Sequence, residues 1–299
     1  MSVSMPDPHT RTFVSAPSSW MLYAKAVLPA LPLVGSLPGV RRSGEDAPGL
    51  FLLRERVSTS PRLLADYAAV CGLRLGDTLP VTYPHVAAFG LQLALVTDST
   101  FPFAALGVVH VANTVIQHRP LRLSETFDVR VHAADLRAHP KGQLIDVITL
   151  VSVGGETVWA ETMTLLHRQR SDATLADTLP LRELDPPTGS TRWRIGSDIG
   201  RRYAAVSGDR NPIHLYGLTA RAFGFPRQIA HGMWTTARCV AALEGRLPDA
   251  MTLQVAFRKP VLLPATVAFG STTDGAGSTV FALSSATDST PHLIGTVSG

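Results

Sequence analysis

The sequence predicts an α+β protein built from two copies of one unit, each a long buried helix with a strongly curved antiparallel sheet around it. Three observations carry this. Stretches recur at a spacing of roughly 140 residues. Two runs, 85–96 and 232–243, are apolar nearly all round, which suits a helix buried on most sides rather than an amphipathic surface helix. After each run come β-branched, alternating segments joined by Gly- and Pro-bearing turns. A helix of that kind needs a sheet wrapped about it, and no βαβ alternation or Gly-rich phosphate loop argues for a Rossmann or P-loop protein.

Taken in order, residues 1–19 read as a loose tail and 20–40 as an N-terminal extension packed on the body, with membrane-surface contact as the alternative. The longest apolar stretch, 20–34, is interrupted by Lys25, Pro29 and Pro32. It falls short of the ~20 residues that span a bilayer, so no transmembrane segment is expected. The polar first ten residues, with Pro6 and Pro8, do not resemble a secretory signal. In the first copy, Ser58-Thr59-Ser60-Pro61 signals a helix start ahead of Tyr67-Ala68-Ala69-Val70-Cys71-Gly72-Leu73. The helix 85–96 follows, then strands at 108–117, 126–133, 143–153 and 157–166, with a turn at Gly154-Gly155. Between 170 and 190, Asp, Thr and Pro replace the apolar pattern, which marks a linker. In the second copy, Ser197-Asp198 precedes Tyr203-Ala204-Ala205-Val206-Ser207-Gly208-Asp209. The helix 232–243 comes next, then strands at 253–257, 266–272, 279–285 and 292–297. Gln117-His118-Arg119-Pro120-Leu121 and Phe257-Arg258-Lys259-Pro260-Val261 form a looser second match. The expected division is 1–49 tail and extension, 50–170 first copy, 171–190 linker and 191–299 second copy.

At 299 residues, 45% hydrophobic and 17% charged, with mean hydropathy +0.16, the chain is a packed protein rather than a disordered one. Its 27 basic and 23 acidic residues leave +4 without a dense basic block, which argues against nucleic acid as a partner. Three of the basic residues are lysines (Lys25, Lys141, Lys259) and the rest arginines, which suit phosphate-bearing small ligands. Cys71 and Cys239 make neither a disulfide framework nor a metal-ligand spacing. A cytoplasmic protein with no metal and no cofactor is the expectation.

The chemistry concentrates in Ser207-Gly208-Asp209-Arg210-Asn211-Pro212-Ile213-His214 and in Ile229-Ala230-His231-Gly232-Met233. Gly-Asp-x-Asn-Pro by itself is ordinary turn chemistry. The comparison of copies says more: the first retains Tyr-Ala-Ala-Val-x-Gly but has Leu73 where the second has Asp209, with no histidine within five residues after it. A carboxylate and an imidazole five residues apart across a turn can converge on one water, as addition of water to a polarised double bond requires. The start of the buried helix at Gly232 offers N–H groups and a positive dipole end to a developing oxyanion. Glycine lets a thioester approach that backbone closely.

These two runs resemble the MaoC-like, (R)-specific enoyl-CoA hydratase/3-hydroxyacyl-thioester dehydratase family. The motif core covers some thirty residues, and the duplicated layout extends the likeness over about 50–299. The resemblance implies a double hotdog fold with one catalytic half and one degenerate half. It implies a hydro-lyase of fatty-acid metabolism acting on trans-2-enoyl or (R)-3-hydroxyacyl thioesters of coenzyme A or acyl carrier protein. It carries the catalytic pair onto Asp209 and His214, a supporting hydrogen bond onto Asn211 and the oxyanion N–H onto Gly232. His231 is assigned to positioning at the helix N-terminus. Arg258 and Lys259 are candidates for phosphate contact, against a reading as a solvated strand end. His85, His110, His118, His132, His139, His167 and His292 are assigned surface or packing roles. Ala87, Ala88, Gly90 and Ala94 in the degenerate half would leave room for an acyl tail, or simply pack closely. Two alternatives stay open: a catalytically silent acyl-thioester-binding or scaffold protein, and a thioesterase, which would place a carboxylate on the buried helix where 232–243 has none. With two hotdog units in one chain, either a monomer or a homodimer is feasible.

Overall fold

A computed structural model of the chain describes residues 9–27, 46–105, 107–172 and 174–299, so residues 28–40 of the expected extension lie outside the described residues. In chain order the elements are β1 (Thr10–Thr12), α1 (Ser19–Val27), β2 (Phe51–Val57), α2 (Pro61–Cys71), α3 (Tyr83–Val96), β3 (Val108–Gln117), β4 (Phe127–His139), β5 (Gly142–Val153), β6 (Glu156–Arg168), β7 (Thr191–Ile195), α4 (Ile199–Ser207), α5 (Pro212–Leu215), α6 (Gly217–Ala222), α7 (Gly232–Leu243), β8 (Met251–Phe257), β9 (Ala265–Thr273), β10 (Thr279–Ser285) and β11 (Pro291–Ser298).

Among the described residues all eleven strands join one sheet in the order β1-β2-β4-β5-β6-β3-β8-β11-β10-β9-β7. The order is one pattern written twice in opposite directions, meeting where β3 and β8 pair antiparallel from Ala112↔Ala256 to Gln117↔Met251. The first half of the sheet curves over α3, which packs on β2, β4 and β5, and α7 packs on β10 in the second. This is the double hotdog that the sequence resemblance implied.

The repeated Tyr-Ala-Ala-Val-x-Gly motif ends a helix in the same way in both halves. Tyr67 and Tyr203 are fully buried, their ring centroids 6.3 Å apart. Gly72 (φ 74°) ends α2 and Gly208 (φ 77°) ends α4, each amide bonding back to Ala68 O or Ala204 O. Only glycine takes that left-handed cap cheaply, which is why it survives in both copies. The looser match is real as well: Leu79 N donates to Leu121 O (2.7 Å) in one half, and Ala230 N to Val261 O (3.0 Å) in the other. Pro61 opens α2 as expected, but neither Ser60 nor Asp198 uses its side chain as a cap.

Two expectations need correction. Residues 9–19 are not a loose tail, because β1 pairs in parallel with β2 (Thr10↔Phe51 to Thr12↔Leu53) and Arg11 ion-pairs with Asp98 at 2.7 Å. The small-residue face of α3 is not room for an acyl tail. A Cβ on Gly90 would stand 3.2 Å from Pro17 O and 3.5 Å from Ala16 Cβ, so the extension covers it, and Ala88 is wholly buried. Strands β2 and β7 escaped the sequence reading because Arg54, Glu55, Arg192 and Arg194 interrupt their apolar pattern. Between β6 and β7 the described residues form no helix or strand, as the composition there suggests. Among the described residues no helix is long and apolar enough to cross a membrane.

Candidate active site

The site is assembled by turns that the local sequence dictates. After the Gly208 cap, Asp209 begins a tight turn in which Asn211 N donates to Asp209 Oδ1 (3.1 Å). Asn211 then caps α5 through its side-chain oxygen, with Ile213 N as the donor at 3.4 Å. Thus Asn211 supports the pair through its backbone amide and through the cap of the helix that carries His214, not through a side-chain bond to Asp209. The α5 backbone comes so close to α4 that a Cβ at Gly200 would lie 2.0 Å from His214 O, a contact only glycine permits.

His214 is buried, and its Nδ1 lies 2.8 Å from Ile229 O. A carbonyl oxygen only accepts, so Nδ1 carries the proton and Nε2 keeps its lone pair. Burial pushes the His214 pKa below its ordinary value, against the opposing pull of Asp209 and the Ile229 carbonyl. Near neutral pH it is a neutral imidazole with an open acceptor. For Asp209, burial raises the pKa, but His231, His214, the Tyr23 hydrogen bond and the Asn211 amide together hold it below the usual carboxylate value. It is therefore ionised, and its side chain is still 23% exposed.

His231 lies beneath the pair. Its ring stacks on that of His214 with centroids 3.7 Å apart, and Nε2 donates to Asp209 O at 3.0 Å while standing 3.8 Å from Asp209 Oδ2. Burial and the neighbouring His214 push its pKa down to about 3, so it serves as a neutral, packed support. It sits at the start of α7, where the sequence places it. Immediately after it, Gly232 opens α7, whose first-turn amides have no carbonyl partner inside the helix and no side-chain cap from His231. A Cβ on Gly232 would meet the Phe257 ring at 3.0 Å, so glycine is also what lets the helix start seat against β8.

Of the phosphate candidates, Arg258 donates to Leu181 O at 2.5 Å and is half-buried, so it braces the loop before β7 instead of forming a solvated strand end. Lys259 is exposed, and its carbonyl faces His292 Nδ1 at 3.0 Å. Neither is brought to the Asp209–His214 turn by a hydrogen bond or ion pair among the described residues.

Two groups near the site escaped sequence reasoning. Tyr23, buried on α1, donates to Asp209 Oδ1 at 2.5 Å. In the first half, the fully buried Glu161 accepts from His85 Nδ1 (2.8 Å), Asn113 Nδ2 (2.7 Å) and Gln92 Nε2 (2.8 Å). His85 is thus one half of a buried ion pair rather than a packing histidine. Burial lowers its pKa, but Glu161 and, more weakly, Asp209 raise it above the ordinary value overall. His110 sits edge-on to Phe257 at 4.8 Å and is pushed down to about 4, chiefly by burial and then by His85. His139, also assigned to packing, is buried with Nε2 3.2 Å from Asp177. His132 and His167 do pack, against Phe51 and Phe103.

The ligand atoms of Asp209, His214 and His231 lie within 4.8 Å of one another, so a small cation would find three donors here that the sequence spacing did not reveal. Each of the three already holds a hydrogen-bond partner, and the open acceptors left on Asp209 and His214 suit a water molecule.

Residues 183–289 match the MaoC like domain family. Over 268 residues the chain is 42% identical to 3-hydroxyacyl-thioester dehydratase X of Mycobacterium tuberculosis, covering 89% of this chain and 94% of that protein. The chain belongs to the MaoC-like dehydratase family. The crystal structure of HtdX from Mycobacterium tuberculosis superposes on this MaoC-like protein with a TM-score of 0.74 at 42% identity, over 83% of this chain and 99% of that one. A conserved hypothetical protein of Mycobacterium tuberculosis with a double hotdog fold superposes at 0.53 and 13% identity, over 85% and 96% of the two chains. As a MaoC-like dehydratase the protein is a hydro-lyase.

Proposed function

We propose that the protein catalyses reversible hydration of trans-2-enoyl thioesters and dehydration of (R)-3-hydroxyacyl thioesters, carried on coenzyme A or acyl carrier protein, in fatty-acid metabolism. One observation supports this above the rest: an ionised carboxylate and a neutral imidazole with an open Nε2 share one turn beside the unpartnered amides of α7. Both are acceptors, so one water can donate a hydrogen to each. As the water oxygen bonds to the β-carbon, the pair takes a proton from it, and the double-bond electrons move onto the thioester oxygen. That oxyanion is stabilised by the Gly232 amide at the positive end of α7. The proton is returned to the α-carbon, the carbonyl re-forms, and Asp209 and His214 end as they began. Dehydration is the same path reversed.

The intact pair favours this over a silent acyl-binding scaffold. Against a thioesterase, α7 carries no carboxylate until Glu244, which caps its end and accepts from Arg74 N at 3.0 Å. The free, buried Cys71 and Cys239 fit a reducing compartment such as the cytoplasm. The test offers crotonyl-CoA and longer 2-enoyl-CoAs to the purified protein and follows loss of the conjugated thioester absorbance, with Asp209→Asn and His214→Ala alongside. Unchanged rates in both variants sink the pair, and release of free thiol points to thioester hydrolysis.

A further inference from the structure

We propose that Tyr23, on the N-terminal helix α1, is a positioning residue of the active site, fixing Asp209 Oδ1 so that Oδ2 is the oxygen left to meet water. This rests on the proposed function.

The N-terminal segment is built into the molecule at four separate places. β1 joins the sheet beside β2, Arg11 ion-pairs with Asp98, Ala16 and Pro17 cover Gly90, and Ser19 Oγ would stand 3.1 Å from a Cβ at Gly208. Two glycines therefore leave room for this segment, one on α3 and one at the residue preceding Asp209. The helix it leads into buries one tyrosine and exposes its neighbours: Tyr23 is 8% exposed, Trp20 73% and Met21 69%.

The chemistry of the contact is directional. Oδ1 accepts two donors, Tyr23 Oη at 2.5 Å and Asn211 N at 3.1 Å, while Oδ2 faces His231 Nε2 at 3.8 Å. A hydroxyl donating to a carboxylate makes a short, charge-assisted bond that favours the ionised form. Burial and the Asp209 charge hold the Tyr23 pKa well above its ordinary value, so the phenol stays a donor. The other titratable groups facing Asp209 are His214 on α5, His231 before α7, Tyr203 on α4, His85 on α3 and His110 on β3. Among the described residues only Tyr23 gives the carboxylate a side-chain hydrogen bond.

The test is Tyr23→Phe in the full chain, which keeps the ring, with Trp20→Ala as a control on the same helix. Two readouts are needed: kcat and KM for enoyl-thioester hydration, and an infrared titration of the Asp209 carboxyl, identified by its absence in Asp209→Asn. Loss of one hydrogen bond to a charged group predicts a kcat lower by about tenfold, with KM little changed. The carboxyl midpoint should rise by about one pH unit, since a bond to the ionised form is removed. Trp20→Ala should match the wild type in both. A carboxyl midpoint that does not move overturns the proposal, and so does a rate equal to or above wild type, the latter meaning that the phenol occupies the place of the water. If Asp209→Asn is inactive beside a wild-type-like Tyr23→Phe, the failure is that of Tyr23 alone. If Asp209→Asn is fully active, the proposed function fails and this role falls with it.

Discussion

The candidate active site and its counterpart in the first half share a backbone and differ in furnishing. In both halves a tyrosine-bearing helix ends in a left-handed glycine, and a short bridge pairs the approach to the long helix with the strand-end segment, Thr78↔Arg122 in one and Ile229↔Leu262 in the other. At the residue after the glycine, the second half has Asp209 and the first has the buried Leu73. After the bridging amides of Ala230 and Leu79 come His231-Gly232 in one half and Pro80-Val81 in the other. What remains is a cleft of about 160 Å³ lined by Leu73, Pro80, Val81, Gln117, Val240 and Met251. The comparison teaches that caps, bridges and close backbone approaches can persist while every proton-carrying group is replaced. The first half nonetheless keeps a buried ionisable pair of its own, His85–Glu161, and the charge of Asp209 reaches His85.

The sharpest way to break this contrast is to remove a group from the furnished side. Asp209→Asn or His214→Ala should lower kcat for enoyl hydration by about 10²–10⁴-fold, the usual worth of a positioned acid–base group, read from the absorbance assay. In the wild type, both pKa values lie below their ordinary positions, so activity should hold through neutral pH. It should fall as acid protonates His214, beginning somewhere below its ordinary value of about 6.5.

Next comes the pair on the other side. Glu161→Gln leaves a buried imidazole without its anion and should cost about 3–5 kcal/mol in denaturant unfolding. The sign of its pH dependence follows from both partners. The depressed Glu161 stabilises above its unfolded pKa, an effect lost as pH falls through its folded value, and the raised His85 stabilises until pH rises through its own. Wild type and variant should therefore differ most between those limits, and a constant gap across pH would refute the ion pair.

Smaller effects test the scaffold. Gly232→Ala forces a Cβ against the Phe257 ring and should cost about 1–3 kcal/mol, together with a loss of kcat from displacement of the α7 amides. Asn211→Ala removes the α5 cap, for about 0.5–2 kcal/mol and a modest loss of rate, measured by thermal melts and the same assay. Leu73→Asp should add no measurable activity in an Asp209→Asn background, because the cleft holds no histidine to complete a pair. Appearance of activity there would mean the emptied half is closer to function than its residues suggest.

The parts legible in the sequence are those set by neighbours along the chain. The glycine-capped repeat, α3, α7 and the strands β3 to β6 and β8 to β11 announce themselves through short-range pattern. The gathering of Asp209, His214, His231 and Gly232 follows from two turns and a helix start. What was hidden depends on distance. Glu161 lies 76 positions from His85 and Tyr23 lies 186 from Asp209, so no spacing rule relates them. They are joined by the closing of the sheet and by the path of the N-terminal segment. The charged pattern of β2 and β7 concealed strands whose pairing comes from the ladder rather than from their own apolarity.

The pairing of β3 with β8 has a consequence for any truncation of the chain. Each of these strands would otherwise end its half with a row of unsatisfied amides and carbonyls, open to any passing strand. The first half therefore cannot be cut away without baring β8, since its β3 closes the sheet edge of the half that holds Asp209 and His214.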